Sequence, residues 1–226
     1  MFGKFFRSVI IGPLASLLIV VVLVSLTTDR FLTPENLINV SLQVSTVAIA
    51  AIGSTIVILT GGIDLSPGSV VALSSCVLAI AVKNMGYSLP AGILVTLALG
   101  ILLGGVYGVL STYGRIPSFV VTLATMGMFR GLAFLITEGH PIFSVSPYLE
   151  TIFYGDLFGV PLPLIYMLVF YAISAIFLRY TRPGRAIYSI GGNETASYLS
   201  GIHVNRTRLL AFIIAGLTAA IAGVLL

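Results

Sequence analysis

Asp64 is a carboxylate in the segment GGIDLSPGS, residues 61–69, which separates two long apolar stretches and is called the broken segment below. Gly61 and Gly62 are expected to end one helix, and Ser66 can cap the next one. If the flanking stretches span a membrane, two interpretations stay open: a tight turn at the cytoplasmic surface, or a break inside the membrane that lines a transport pathway. The segment lacks the Lys-Ser/Thr pair of a Walker loop, and Asp64 has no intramembrane aspartate partner for aspartyl-protease chemistry.

Two isolated polar side chains, Arg130 and Gln43, lie within apolar stretches. A charge in lipid is costly, so Arg130 must face protein, face water or extend outward to the interface, and a role in a solute pathway is one interpretation. Gln43 is expected to form an interhelical hydrogen bond in preference to a ligand contact. With the broken segment they give the candidate pathway residues: Gln43, Gly61, Gly62, Asp64 and Arg130.

A short polar helix with defined ends is predicted between two glycine sites. Gly191 and Gly192 are expected to form a turn. Asn193 is a favourable N-cap residue, and Glu194 places negative charge on the first helical turn. The helix therefore begins at Glu194 and stops before Gly201, which suits the C′ position. Two interpretations follow: a helix lying on anionic lipid, or a docking element for a cytoplasmic partner.

The composition excludes a soluble fold. Hydrophobic residues make up 58% of the 226 residues and charged residues 8%, whereas a soluble protein is about 45–50% apolar and about 25% charged. The same hydrophobicity excludes disorder. A single cysteine excludes a disulfide framework and a CxxC metal site. Because HExxH, GxSxG and helically spaced carboxylate pairs are absent from the sequence, we predict neither an enzyme nor a metal site.

Apolar stretches long enough to cross a membrane recur along the whole chain. They number about seven, since a span needs about 20 apolar residues, and are centred near residues 18, 48, 74, 101, 127, 169 and 218. Helices follow because the backbone must satisfy its own hydrogen bonds in lipid. The predicted fold class is an all-α, polytopic transmembrane helical bundle, a single domain over residues 1–226. Gly100, Gly104 and Gly108 form a small-residue face suited to close helix packing.

The basic residues predict the orientation. With a cytoplasmic N-terminus, Arg30 and Lys83 lie outside, and eight basic residues lie inside: Lys4, Arg7, Arg115, Arg179, Arg182, Arg185, Arg206 and Arg208. This distribution follows the positive-inside rule. We therefore read the basic excess as a signal of sidedness and predict no nucleic-acid partner. Residues 180–207 fall inside, and residues 138–160 fall outside.

Three segments together resemble the permeases of ribose-type sugar ABC importers: VILTGGIDLSPGSVVAL at 57–73, GRIPSFVVTLATMGMFRG at 114–131, and TRPGRAIYSIGGNETASYLSGIHVN at 181–205. The resemblance implies a multi-pass permease subunit of a bacterial inner membrane. It also implies a second permease copy or paralogue, cytoplasmic ATP-binding-cassette ATPases, and a periplasmic sugar-binding protein. The solute would be a pentose or hexose, moved by alternating access. ATP would be hydrolysed by the partner, so this chain carries no cofactor.

The resemblance further implies that residues 180–207 form the cytoplasmic coupling segment that docks on the ATPase, and that residues 138–160 face the binding protein. The implied coupling residues are Gly191, Gly192, Asn193, Glu194, Ser197 and Gly201. Family members typically continue with further spans, so we expect the chain to be incomplete at its C-terminus. The alternatives are an accessory membrane scaffold and a nonfunctional truncated remnant. Which sugar is carried, and whether the permeases pair as homodimer or heterodimer, stay open.

Overall fold

The computed structural model describes residues 2–143, 145–153 and 155–226, and the side chains of these residues other than 2–10 and 150. The side chains of Lys4 and Arg7, which contribute to the predicted sidedness, lie outside this description. The chain divides into two compact units, Met1–Leu42 and Gln43–Leu226. The first contains helix α1 and the start of α2, and the second contains the rest of α2 and all later elements.

The described residues form helices almost throughout. The helices are α1 (Phe2–Thr27), α2 (Pro34–Leu59), α3 (Pro67–Ala79, continued by a π-helical turn over Ile80–Asn84), α4 (Leu89–Thr112), α5 (Ser118–Ile136), α6 (Pro147–Phe153), α7 (Leu162–Tyr180), α8 (Arg182–Gly192), α9 (Glu194–Leu199) and α10 (Val204–Val224). Two short strands, β1 (Asp156–Leu157) and β2 (Val160–Pro161), pair antiparallel.

Six of the described helices are long and apolar enough to cross a membrane: α2, α3 with its π-helical turn, α4, α5, α7 and α10. The first of the seven predicted spans falls in α1, whose fully described apolar part is Ile11–Thr27. The predicted all-α polytopic membrane bundle is therefore confirmed.

Prolines mark where six of the described helices begin. Pro34 and Pro147 are the first residues of α2 and α6. Pro67, Pro90, Pro163 and Pro183 each occupy the first or second position of their helix, in α3, α4, α7 and α8. Proline has no backbone N–H to donate, and the first helical turn has no acceptor for one, so proline is tolerated there. These residues fix the boundaries between successive helices.

Helix α10 is the most buried of the six spans. Ala211, Ala215, Ala219 and Ala222 are each at most 1% exposed, and α10 packs against α3, α4 and α8. Small residues at this spacing allow neighbouring helix backbones to approach closely, which is how helices associate in lipid. The core of the second unit is built around this helix.

Gly100, Gly104 and Gly108 form the face of α4 that contacts α10. A Cβ on Gly104 would lie 2.5 Å from the carbonyl oxygen of Phe212, and one on Gly100 would lie 2.6 Å from that of Gly216. These distances leave no room for a side chain. The predicted small-residue packing face is confirmed.

Aromatic rings fill the space next to this contact. Tyr107 of α4 is 1% exposed and Phe212 of α10 is 2% exposed. Their rings meet edge to face with centroids 5.7 Å apart, and Phe129 of α5 lies 6.4 Å from Tyr107 on another side. Such pairs are a favoured aromatic geometry. They hold α4, α5 and α10 together.

The connection over residues 138–160 has structure of its own. It contains α6 and the first strand of the β1–β2 hairpin. Tyr166 of α7 donates a hydrogen bond to the carbonyl of Ile152 at 2.7 Å, and Lys83 donates to the carbonyl of Phe143. These contacts fix the connection against the ends of two spans.

Candidate functional site

The predicted cytoplasmic segment folds as two short helices, α8 and α9, which connect α7 to α10. Thr181 caps α8, because its hydroxyl accepts a hydrogen bond from the N–H of Gly184 at 3.1 Å. Ile187 and Ile190, three residues apart, are buried on one side of α8. The segment is thus attached to the bundle by an apolar helix face.

The predicted turn at Gly191 and Gly192 is wrong, because both residues belong to the last turn of α8. A glycine in a helix costs about 1 kcal/mol relative to alanine, but the buried face that ends at Ile190 holds the helix in place. The chain leaves the helix only at Asn193, whose backbone is extended.

Gly191 makes a backbone contact that no other residue type would permit. A Cβ placed on Gly191 would collide with the carbonyl oxygen of Leu59, the last residue of α2. Glycine is the residue that allows such close approach. The end of α8 therefore rests directly on the end of α2, just before the broken segment begins.

Asn193 caps α9 as predicted. Its side-chain oxygen accepts a hydrogen bond from the N–H of Ala196 at 2.9 Å, which satisfies one of the free donors of the first turn. Helix α9 ends at Leu199, one residue earlier than predicted, and Gly201 adopts a positive φ of 83°. The N–H of Ile202 then donates to the carbonyl of Ser197 at 3.0 Å.

Ser197 joins the two short helices. Its side chain is 2% exposed, and its hydroxyl lies 2.9 Å from the hydroxyl of Ser189 in α8 and 2.8 Å from the carbonyl of Asn193. A buried hydroxyl requires such partners. The angle between α8 and α9 is therefore held by a specific polar contact.

Glu194 forms a bidentate ion pair with Arg208, which lies in the first turns of α10. The two carboxylate oxygens accept from the two terminal nitrogens of the guanidinium at 2.9 and 2.7 Å. This geometry is the strong form of an arginine–carboxylate contact. It ties α9 to a membrane-spanning helix.

The exposed side of α9 carries large side chains. Tyr198 is 70% exposed and Leu199 is 79% exposed. Beside them is a groove of about 570 Å³, lined by Tyr113, Tyr198, His203 and Arg206 among others. Exposed apolar side chains next to a concave surface are typical of a protein contact.

The broken segment is held by the start of α5. The N–H of Ile63 donates to the hydroxyl of Ser118 at 2.9 Å, and Gly61 adopts a φ of 80°. The hydroxyl of Thr60, which is buried, donates to the carbonyl of Val57 at 2.8 Å. The segment thus connects the end of α2, the start of α3 and the start of α5.

Ser66 donates hydrogen bonds to one of the two carboxylate oxygens of Asp64. Its Oδ1 accepts from the N–H of Ser66 at 2.9 Å and from the hydroxyl of Ser66 at 2.6 Å, while Oδ2 is buried without a partner among the described residues. Burial raises the pKa of the Asp64 carboxyl above its ordinary value, and the two hydrogen bonds from Ser66 oppose that shift. Asp64 lies between two of the spans, in the connecting segment.

Ser66 precedes α3 as predicted, but its side chain does not cap the helix. The hydroxyl is turned towards Asp64 instead. A side-chain cap would require the hydroxyl oxygen to accept from a backbone N–H of the first turn, and the hydroxyl is oriented by its charge-assisted hydrogen bond to the Asp64 carboxylate instead. The expected side-chain cap is therefore corrected to a carboxylate contact.

Gln43 and Arg130 are not brought to the broken segment. Gln43 is exposed on α2, and the expected interhelical hydrogen bond is not formed within the described part of the chain. Arg130 is exposed on α5. Their predicted roles in a pathway have no geometric support in the part of the chain that the structure describes, whereas Gly61, Gly62 and Asp64 lie together in the broken segment.

Three contacts of the site were missed by the sequence analysis: Leu59 with Gly191, Ser118 with Ile63, and Arg208 with Glu194. The partners are 132, 55 and 14 residues apart. Helical periodicity reports only neighbours within about one turn. Only the unusual glycine at 191, next to an amphipathic helix, was a signal of a close contact.

This arrangement, a pair of short helices attached to a bundle of apolar spans, can be compared with known families. The family model described as "Branched-chain amino acid transport system / permease component" matches residues 36–226. The chain belongs to this permease family. It is a multi-pass protein of the bacterial inner membrane. The permease interpretation is therefore favoured over the accessory scaffold.

Curated relatives of the permease support the same assignment. A ribose import permease protein of Haemophilus influenzae is 39% identical over 216 residues, covering 93% of this chain and 66% of the relative. A ribose import permease protein of Bacillus subtilis is 39% identical over 229 residues, covering 96% and 67%. A D-allose transport system permease protein of Escherichia coli is 33% identical over 211 residues, covering 92% and 64%. The permease thus spans about two thirds of the length of these relatives. No solved structure matches it.

Proposed function

We propose that this permease carries a small neutral sugar, a ribose-like pentose or a hexose, across the inner membrane. It would do so as the membrane subunit of an ATP-binding-cassette importer. The observation that carries the proposal is the attachment of α8 and α9 to α2 at Gly191 and to α10 at Arg208. A force on α9 would reach two spans through these contacts.

The proposed partners are a cytoplasmic ATPase, a second permease copy or paralogue, and a periplasmic sugar-binding protein. The exposed face of α9, with Tyr198 and Leu199, and its groove supply a surface for the ATPase. Residues 138–160 would meet the binding protein. ATP hydrolysis takes place in the ATPase and requires no cofactor on this chain.

The mechanism we propose is alternating access between two states, driven by nucleotide binding to the partner. Closure of the ATPases would move α9 and α8 together, because Ser189 and Ser197 join them. The contact of Gly191 with Leu59 would pass this movement to the broken segment. The hydrogen bond from Ile63 to Ser118 would then carry it to α5.

The character of the interior favours a sugar over an amino acid. The fully buried polar side chains within the described part of the chain all carry hydroxyl groups: they are serines, threonines and Tyr107. Hydroxyl groups suit a neutral solute, whereas an amino acid carries two charges that need oppositely charged or strongly polar partners. The relatives named for ribose and D-allose point the same way.

Two measurements test the proposal. The first is co-purification of the ATPase from mild detergent with the unaltered permease and with a variant lacking residues 191–201. We expect the ATPase with the unaltered chain only. Equal recovery with both would contradict the coupling assignment.

The second measurement is ATP-dependent uptake in vesicles that contain the permease, its ATPase and its binding protein. We expect labelled ribose or another monosaccharide to accumulate, and labelled leucine to stay outside. Accumulation of leucine without any sugar would contradict the proposed substrate class while leaving the family assignment in place.

A further inference from the structure

A groove of about 630 Å³ opens between α2, α7 and α8, away from the coupling face of α9. Its walls are apolar over most of their length, with Ile52 and Ile56 on α2 and Leu178 on α7. Arg179 and Arg185 line it as well. An apolar groove with two cationic side chains is complementary to an amphiphile that has an anionic head and an apolar tail.

Arg179 and Arg185 have N–H donors that make no hydrogen bond within the described part of the chain. Arg185 uses one terminal nitrogen to donate to the carbonyl of Tyr180 at 3.1 Å, and Arg179 lies 5.5 Å from the centre of the Tyr180 ring. The ion pair found among the described side chains is that of Arg208 with Glu194, so neither groove arginine has a carboxylate partner there. Each guanidinium has five N–H donors in a planar fork.

A tight backbone contact brings the two arginines to the same place. A Cβ on Gly184 would lie 2.6 Å from the Cα of Leu178, so α8 begins directly against the end of α7. Arg179 and Arg185 follow these two residues in sequence. Their positions are therefore fixed by the fold at the end of the span.

The groove lies at the level of the cytoplasmic leaflet of the membrane. The positive-inside distribution places Arg179 and Arg185 at the cytoplasmic interface. Ile56 and Ile52 precede the end of α2 at Leu59 by three and seven residues, which is about 5 and about 10 Å along a helix axis. The apolar wall therefore runs from the interface towards the membrane interior.

We propose that this groove binds one anionic phospholipid of the cytoplasmic leaflet, with its phosphate on Arg179 and Arg185 and an acyl chain along Ile52, Ile56 and Leu178. Arginine binds phosphate through two parallel hydrogen bonds, and basic pockets between spans on the cytoplasmic side suit anionic headgroups. A second protein chain would need carboxylates to match this charge. The lipid would fill the space between α2 and α7 and support the end of α8.

The test is native mass spectrometry of the permease released from nanodiscs of equal parts phosphatidylcholine and phosphatidylglycerol. We expect bound phosphatidylglycerol on the unaltered permease and at least about tenfold less on Arg179→Gln/Arg185→Gln, because the loss of even one charge-assisted hydrogen bond to the phosphate corresponds to about that factor. The matched control is Arg182→Gln, at an exposed arginine that lies in α8 with Arg185 but does not line the groove. It should retain the lipid. Equal loss in the control would show general surface attraction and overturn the site.

A second pair of variants tests the apolar part without changing charge. Ala175 lines the groove and Ala172, on the same helix, does not; both are exposed. Ala175→Phe should displace the lipid, and Ala172→Phe should not. Unchanged phosphatidylglycerol in Ala175→Phe would overturn the proposal, and so would a photo-crosslinker at Ser174 that captures a second protein chain instead of lipid.

Discussion

Gly191 lies so close to the carbonyl oxygen of Leu59 that not even one methyl group would fit between them. The contact joins the last turn of helix α8 to the last residue of the span α2. The broken segment begins two residues after Leu59, at Gly61, and is hydrogen-bonded to α5 at Ser118. A continuous chain of contacts thus leads from α8, in the proposed coupling segment, to three spans.

Replacing Gly191 with alanine should separate α8 from α2. Inserting a methyl group into such a contact forces backbone shifts that cost about 1–3 kcal/mol. The matched control is Gly192→Ala, because a Cβ there meets nothing within 4 Å and alanine favours the helix by up to about 1 kcal/mol. Thermal unfolding in detergent should show a lower Tm for Gly191→Ala only.

The same pair of variants should differ in transport. An importer assembled with Gly191→Ala is expected to show reduced uptake while its ATPase still hydrolyses ATP, whereas an importer with Gly192→Ala should keep the normal ratio of solute to ATP. Equal uptake by both variants would show that movement does not pass through Leu59.

The ion pair between Glu194 and Arg208 should act as a unit. Its side chains are partly exposed, at 52% and 30%, so a double-mutant cycle with Glu194→Gln and Arg208→Gln is expected to give a coupling energy of only about 0.2–1 kcal/mol. In transport, the two single variants should reduce uptake per ATP to the same extent, with no further loss in the double variant. A larger effect of Glu194→Gln alone would show that Glu194 contacts the ATPase itself.

Local sequence signals predicted the parts of the site that depend on neighbouring residues. Asn193 caps α9 and Gly201 follows its end because both rules act within a few residues. The same logic failed at Gly191 and Gly192. Two adjacent glycines favour a turn when considered alone, but here the buried face of α8 and the contact with Leu59 outweigh that preference.

The contacts that would transmit movement could not be predicted from periodicity. Ile63 and Ser118 are 55 residues apart, and their hydrogen bond depends on how α2, α3 and α5 pack. Ser66 shows a different limit, because its partner Asp64 is only two residues away. Its position before α3 followed from the sequence, whereas the direction of its hydroxyl depended on where the Asp64 carboxylate lies.

One methyl group added at Gly104 should disrupt the packing of α4 on α10, whereas one added at Gly105 should not. Gly104→Ala would place its Cβ 2.5 Å from the carbonyl oxygen of Phe212, while a Cβ on the neighbouring Gly105 meets nothing within 4 Å. We expect Gly104→Ala to lose about 1–3 kcal/mol, and Gly105→Ala to be unchanged or more stable. Thermal unfolding of the two variants measures this difference. Equal Tm values would contradict the α4–α10 contact.

Asp64 should tolerate an amide better than the loss of its side chain. Asparagine keeps an oxygen that accepts from the N–H and hydroxyl of Ser66, whereas Asp64→Ala leaves these buried donors without a partner, at a cost of about 1–3 kcal/mol. Asp64→Asn also removes a charge that burial disfavours. Its Tm at neutral pH should equal or exceed that of the unaltered permease.

The pH dependence of the difference in Tm between Asp64→Asn and the unaltered permease shows whether the difference comes from the buried charge of Asp64 or from the change in side-chain geometry. Because burial raises the pKa of Asp64 in the folded protein, the folded state binds more protons than the unfolded state between the ordinary and the raised pKa, and stability falls as the pH rises through that window. Lowering the pH should therefore raise the stability of the unaltered permease relative to Asp64→Asn, and the advantage of the amide should shrink. The measurement is Tm for both proteins from neutral pH down to the ordinary pKa of a carboxyl group. If the difference in Tm between the two proteins stays constant over this range, the pKa of Asp64 is not raised in the folded protein.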